Sequence, residues 1–239
     1  VTTIPRRYNG PEHSGNGGWV SGLLAHEQTQ RHGDEVVTAT LRQPPPLEVP
    51  LTWEEHPDEV RLVTAGGALI GEAAAGTFEH DPLPAPSAEE AEAGVASYPG
   101  FTLHPFDRCF TCGTAREPGD GLRLFTGPVG DGSRTAGTWT PDPGVAGDDG
   151  LLDVPTTWAA LDCPGGWAAD FTAQAMVLGR MTAQVLRRPA AGEPLVASGL
   201  LRERDGRKFR TATALHTTDG ELLGRAEQVW IEIDLARFS

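Results

Sequence analysis

Cysteine is scarce in this 239-residue chain, as are methionine and tyrosine: three, two and two residues. An odd, small number of cysteines does not describe a disulfide framework, so the expectation is a reduced compartment. Basic residues are also few. Nineteen Lys and Arg face 33 Asp and Glu, for a formal net charge of −14. Nucleic acid is therefore excluded as an expected partner, because phosphate binding needs a net basic surface. No apolar run approaches the roughly 20 residues of a membrane span, so no membrane partner is expected. The first seven residues, Val1 to Arg7, lack the apolar stretch of a secretory signal. The expectation is a cytoplasmic protein.

What is present is a repeat. Thr38-Ala39-Thr40-Leu41, Pro45 and Pro50-Leu51 read against Thr182-Ala183-Gln184-Val185, Pro189 and Pro194-Leu195, a constant offset of 144. Gly67-Ala68-Leu69-Ile70-Gly71 reads against Gly220-Glu221-Leu222-Leu223-Gly224 at an offset of 153. A unit encoded twice implies a pseudo-dimer whose unlike halves can share one site.

Local patterns fill in the units. Trp19, Val20, Leu23 and Leu24 fall at helical spacing, and Arg31 to Asp34 ends that helix. Strands are expected at 36–42, 51–55, 59–63 and 69–78. A proline-punctuated linker follows over 81–108, with one or two helical turns at Glu89–Glu92. In the second half, strands are expected at 122–125 and 134–139. Residues 156–162 are helical in pattern, broken by Pro164-Gly165-Gly166, and a second helical segment is expected at 170–176. Strands at 179–186, 196–203, 208–216 and 222–233 complete the chain, with hairpin turns at Asp205-Gly206 and Asp219-Gly220. The division is a first unit over 1–80, the linker, and a second unit over 109–239. The fold class is α+β, two antiparallel sheets each wrapped around a buried central helix.

This pattern resembles the hotdog fold, and the chain looks like a tandem, or double, hotdog protein of the acyl-CoA thioesterase-like family. The second half opens with Cys109-Phe110-Thr111-Cys112-Gly113 and Gly119-Asp120-Gly121-Leu122-Arg123-Leu124, similar to the Cys-Phe-x-Cys-Gly…Gly-Leu-x-Leu pattern of small hotdog thioesterases. Asn16-Gly17-Gly18, followed by an apolar run, resembles the family's His-Gly-Gly helix start. Asp153 to Asp162 matches only the end of that run.

The resemblance implies a site divided between the halves. The family's acid lies nine residues after the His. Nine after Asn16 is Ala25; nine before Asp162 is Asp153, followed by Val154-Pro155. The first half has the glycines without the acid, the second the acid without the glycines. Gly17 and Gly18 amides are the expected oxyanion donors, Asp162 the base or nucleophile, and Asn16 the orienting group. The reciprocal arrangement, Ala25 with Val154-Pro155, is expected to be inactive.

Trp19 and Trp158, early on the two helices, are either core or acyl-tunnel residues. Arg207 and Lys208, in the basic hairpin at 202–210, are candidates for CoA phosphates, or a solvated turn. Asp162 and Gly17-Gly18 also admit plain capping readings. Cys109-x-x-Cys112 suggests zinc, but one pair lacks the four ligands of a structural site; His104 and Cys163 are the nearest extra candidates. The expectation is no metal, buried thiols in a turn, and no cofactor. The expected function is hydrolysis of acyl-CoA or a related acyl thioester. A non-catalytic acyl-binding protein is the alternative, and a hydratase or dehydratase a third reading without a paired Asp/His motif. Further association of the pseudo-dimer into a homo-oligomer is left open.

Overall fold

The computed structural model describes residues 1–235. A 16-residue helix, α1 (Gly17–His32), is capped by Asn16 and ends at Gly33, whose φ of 80° is a left-handed stop that suits glycine. Four strands follow: β1 (Val37–Leu41), β2 (Leu51–Glu55), β3 (Glu59–Thr64) and β4 (Leu69–Ala75). Helix α2 (Ala88–Ala96) lies in the proline-rich stretch, started by a Ser87–Glu90 capping box. It packs on the later strands, with Gly94 against the Ala136 backbone.

The second half contributes β5 (Gly127–Val129), β6 (Arg134–Trp139), α3 (Val154–Ala160), α4 (Cys163–Ala168), β7 (Met176–Val185), β8 (Leu195–Asp205), β9 (Lys208–Thr217) and β10 (Leu222–Glu232). No helix among the described residues is long and apolar enough to cross a membrane.

The strands form one ten-stranded sheet in the order β2-β3-β4-β1-β7-β10-β9-β8-β6-β5. Every neighbouring pair is antiparallel. Where two sheets were expected, β1 and β7 join edge to edge and leave no inner edges exposed. The order reads alike outward from that junction: β1-β4-β3-β2 on one side, β7-β10-β9-β8 on the other. Thr38 and Thr182, equivalent at the repeat offset of 144, are register partners, and their hydroxyls lie 2.7 Å apart.

One apolar core contains residues from both halves. The first nine residues of α1 are largely buried, whereas its last turns reach solvent, so the helix is not enclosed along its whole length. α1 and α3 run antiparallel at close range. A Cβ on Gly18 would stand 2.4 Å from Asp162 Cβ, and one on Gly22 would stand 2.6 Å from both Pro155 Cα and Trp158 Cβ. Two glycines four apart on one helical face let the backbones approach.

The expected break in the 156–162 helix falls at Leu161–Asp162, between α3 and α4; Pro164-Gly165-Gly166 then lies inside α4, where proline at the helix start loses no intrahelical hydrogen bond. Two local expectations are corrected. The helix expected at 170–176 is absent. Asp170 has φ 64° and accepts from the Thr172 and Ala173 amides, closing a turn before β7 starts at Met176. Residues 122–125 are not a sheet strand: Leu122 and Leu124 amides donate to Phe110 and Thr111 carbonyls, bracing the cysteine loop, with Arg123 at φ 50°.

Candidate active site

The start of α1 and the α3–α4 junction meet at one point. Asn16 uses both ends of its amide. Oδ1 accepts from Trp19 N–H at 2.8 Å, capping α1, and Nδ2 donates to Asp162 Oδ2 at 3.2 Å. Gly18 N–H donates to the same carboxylate oxygen at 2.9 Å. This contact needs glycine, because a side chain there would occupy the space of the Asp162 carboxyl. Asp162 stands at the N-cap position of α4 but does not cap it; its side chain crosses to α1 instead.

Asp162 is 1% exposed, and its Oδ1 has no hydrogen-bond partner among the described residues. Burial pushes its carboxyl up to about 8, Cys109 adds to the rise, and the hydrogen bonds from Gly18 and Asn16 oppose it.

A layer from the sheet supports the junction from below. Gln228 Nε2 donates to the Leu161 and Asp162 carbonyls at 2.8 and 3.0 Å, and Thr213 Oγ1 donates to Leu161 O at 2.7 Å. Gln228 Oε1 accepts in turn from Thr211 Oγ1 and Trp230 Nε1. These bonds satisfy carbonyls freed where the helix axis breaks. The sequence reading missed these residues. Their signal was a pair of inward polar positions, Thr211 and Thr213, two apart on a strand whose neighbours are apolar.

Above Asp162 opens a cavity of about 180 Å³, continuous with solvent. Its walls are mainly apolar and include Leu41, Phe106, Phe171, Met176, Leu178 and Trp230. Asn16, Gly17, Asp162 and all three cysteines also line it. Gly17 N–H, at the first helical position, has no intrahelical acceptor.

Cys109, Cys112 and Cys163 are buried and unpaired in disulfides, and their sulfurs lie within 4.8 Å of one another. Cys109 Sγ is 3.7 Å from Cys163 Sγ and 3.5 Å from Asn16 Nδ2. Burial pushes the Cys112 and Cys163 thiols up, while hydrogen bonds from those two thiols hold Cys109 down. His104 does not join them. Its Nδ1 accepts from Phe106 N–H at 3.0 Å and its Nε2 lies 3.1 Å from Cys112 O, so both ring nitrogens are engaged.

The remaining candidates lie elsewhere. Trp19 stacks on Tyr8, with ring centroids 4.0 Å apart, and Trp158 packs at Gly22; both are core residues, and neither lines the cavity. Arg207, at the β8–β9 turn, donates to Glu232 O at the end of β10, and neither it nor Lys208 lines the cavity. At the reciprocal position Asp153 caps α3 by accepting from Thr156 N–H at 2.7 Å, Ala25 is buried, and Pro155 has no N–H to offer.

No family model and no curated protein matches this chain. Solved structures do. A hot dog fold protein of unknown function from Alicyclobacillus acidocaldarius aligns over 97% of this chain and 92% of its own, with a TM-score of 0.64 and 13% identity. The tesB protein of Mycobacterium avium subspecies paratuberculosis covers 94% of this chain and 89% of its own, with a TM-score of 0.60 and 16% identity. Acyl-CoA thioesterase II TesB2 of Mycobacterium marinum covers 92% and 91%, with a TM-score of 0.55 and 15% identity. The chain has the hotdog fold, and its structural neighbours include hotdog-fold thioesterases. Likeness at these identities is likeness of fold, so activity rests on the site.

Proposed function

We propose that this chain is an acyl-thioester hydrolase, acting on acyl-CoA or a related carrier, with one composite site between two hotdog units. The observation that carries this reading is the Asp162 carboxylate of the second unit, held by Gly18 N–H and Asn16 of the first at the floor of an apolar cavity. The mirrored strand order around β1–β7 and the antiparallel α1–α3 pair support a pseudo-dimer of residues 1–80 and 109–239 bridged by 81–108.

In the proposed reaction the apolar walls take the acyl chain. Asp162 Oδ1, the oxygen without a protein partner, accepts a proton from water as that water attacks the thioester carbonyl carbon. Gly18 N–H is already committed to Asp162, so the amide left for the developing oxyanion is that of Gly17, at the positive end of a 16-residue helix. Collapse of the tetrahedral intermediate breaks the C–S bond, and the proton held by Asp162 leaves with the thiolate. One thioester and one water give one acid and one thiol.

One observation favours a second reading. The carboxylate is almost wholly enclosed and consumes one of the two expected oxyanion donors, an arrangement that also suits a non-catalytic acyl-binding scaffold. Thiol release from short, long and aromatic acyl-CoAs, read beside equilibrium binding, separates the two. Turnover supports hydrolysis; binding without thiol release supports the scaffold.

A further inference from the structure

The three cysteines come from two places 51 residues apart, the Cys109–Cys112 turn and the start of α4. Packing alone gives no reason for three sulfurs to converge: a buried thiol behaves as a small hydrophobe and serves as well facing carbon. The spacing is also not that of a disulfide, whose sulfurs are bonded at about 2.0 Å. It is compatible in length with sulfurs around a shared cation. Sulfurs bound to tetrahedral zinc at about 2.3 Å stand about 3.8 Å apart along an edge, from the tetrahedron's geometry. Cys109 and Cys163 stand at 3.7 Å, with Cys112 in the same cluster.

The surroundings point the same way. Gly113 closes the Cys109–Cys112 turn, its amide donating to Cys109 O at 2.9 Å; a Cβ there would meet that oxygen at 2.5 Å. Tyr98 Oη donates to Cys112 O at 2.9 Å, and His104 Nε2 lies 3.1 Å from the same oxygen. The backbone of the turn that carries two of the three sulfurs is thus fixed by hydrogen bonds to its carbonyls. Three sulfurs leave a fourth position, and all three residues line the cavity. A second, independent feature faces the same space: buried Asp162, whose Oδ1 has no protein partner.

We propose that Cys109, Cys112 and Cys163 form a three-thiolate site for a soft divalent cation of the zinc class. The cation's fourth ligand is a water from the cavity, within the reach of Asp162. Binding displaces the thiol protons to solvent, one from each sulfur ionised, and involves no oxidant. The site stands independently of the thioesterase reading, because it requires only the sulfurs and the cavity.

The test uses the full chain, stripped with a chelator under reducing conditions and titrated with cobalt(II) alone, without any acyl thioester. The proposal expects one cobalt per chain, a thiolate-to-cobalt charge-transfer band of three-sulfur intensity, and displacement of that band by one equivalent of zinc. Thiol reagent should then label none of the three cysteines rapidly in the zinc form. Cys163→Ser should weaken cobalt binding by more than about tenfold and reduce the band, since even outer-shell changes cost 10–100-fold in affinity. Because that variant could misfold, the wild-type titration is decisive by itself. Absence of the charge-transfer band, or cobalt bound without it, overturns the proposal.

Discussion

Replacing Gly18 by alanine tests whether the two halves are held together at the site by a backbone contact. The added Cβ would lie 2.4 Å from Asp162 Cβ and 2.8 Å from its Cγ. Optimal carbon contacts are about 3.5–4.0 Å, so α1 and the α3–α4 junction must separate by roughly 1 Å. Overpacking of this kind costs about 1–3 kcal/mol. Lengthening the Gly18 N–H to Asp162 hydrogen bond, 2.9 Å in the native protein, removes about 1–3 kcal/mol more where it strands a buried group. Alanine's better helix propensity returns at most about 1 kcal/mol. The net loss is about 1–5 kcal/mol from these terms, which for a chain of this size lowers Tm by roughly 2–20 °C. Gly66→Ala is the control, because its Cβ would meet only Thr64 Oγ1, at 3.8 Å. It should stay within about 0.5 kcal/mol of wild type. Urea melts of the three proteins measure the difference. A Gly18→Ala protein as stable as the control, with thioester hydrolysis intact, would refute the close-contact reasoning.

Other outcomes follow from the same geometry. With its carboxyl at about 8 rather than the ordinary 3.8, metal-free folded protein binds the Asp162 proton more tightly than the unfolded chain does. That stabilising term is present at low pH and is lost as pH rises from about 4 to 8. Asp162→Asn should therefore gain stability relative to wild type between pH 5 and pH 8.5, by more than about 1.4 kcal/mol, the equivalent of one pKa unit. Parallel urea melts at the two pH values check it, and equal differences at both would contradict it. Arg207→Ala with Lys208→Ala should leave KM for acyl-CoA within about twofold, since Arg207 is bonded to Glu232 O away from the cavity; a tenfold rise would return that hairpin to the site. Leu178→Phe, on the cavity wall beside Gly17, should shorten the longest acyl chain hydrolysed. Trp158→Phe, in the core, should lower Tm without changing the chain-length profile.

The sequence was most informative where chemistry is local or repeated. The 144-residue offset placed Thr38 and Thr182 as equivalents, and they are register partners at the centre of the sheet. The spacing that gave the acid to one half and the glycines to the other named Asn16, Gly18 and Asp162, which the structure brings within hydrogen-bond distance. Legibility ended where long-range contact decides. Nothing local distinguishes Cys163 as a neighbour of Cys109, and the sequence reading left its position open. The joining of the sheets through β1 and β7 depends on edge pairing, which alternation within a strand does not encode. Pro164-Gly165-Gly166 marks the break between α3 and α4, but its composition does not reveal that helix resumes at Cys163, at a junction braced by Gln228 and Thr213 on distant strands. The two tryptophans were ambiguous for the same reason: a buried helix face is apolar whether it meets a strand or a ligand.

The most direct test of a composite hydrolytic site is thiol release from acyl-CoA by wild type and Asp162→Asn, with acyl-CoA binding measured on both. Asparagine keeps the size of the side chain but cannot take the proton from water. The account predicts turnover by wild type and a fall in kcat of about 10²–10⁴ in the variant, with binding preserved. Undiminished turnover by the folded Asp162→Asn protein would contradict it.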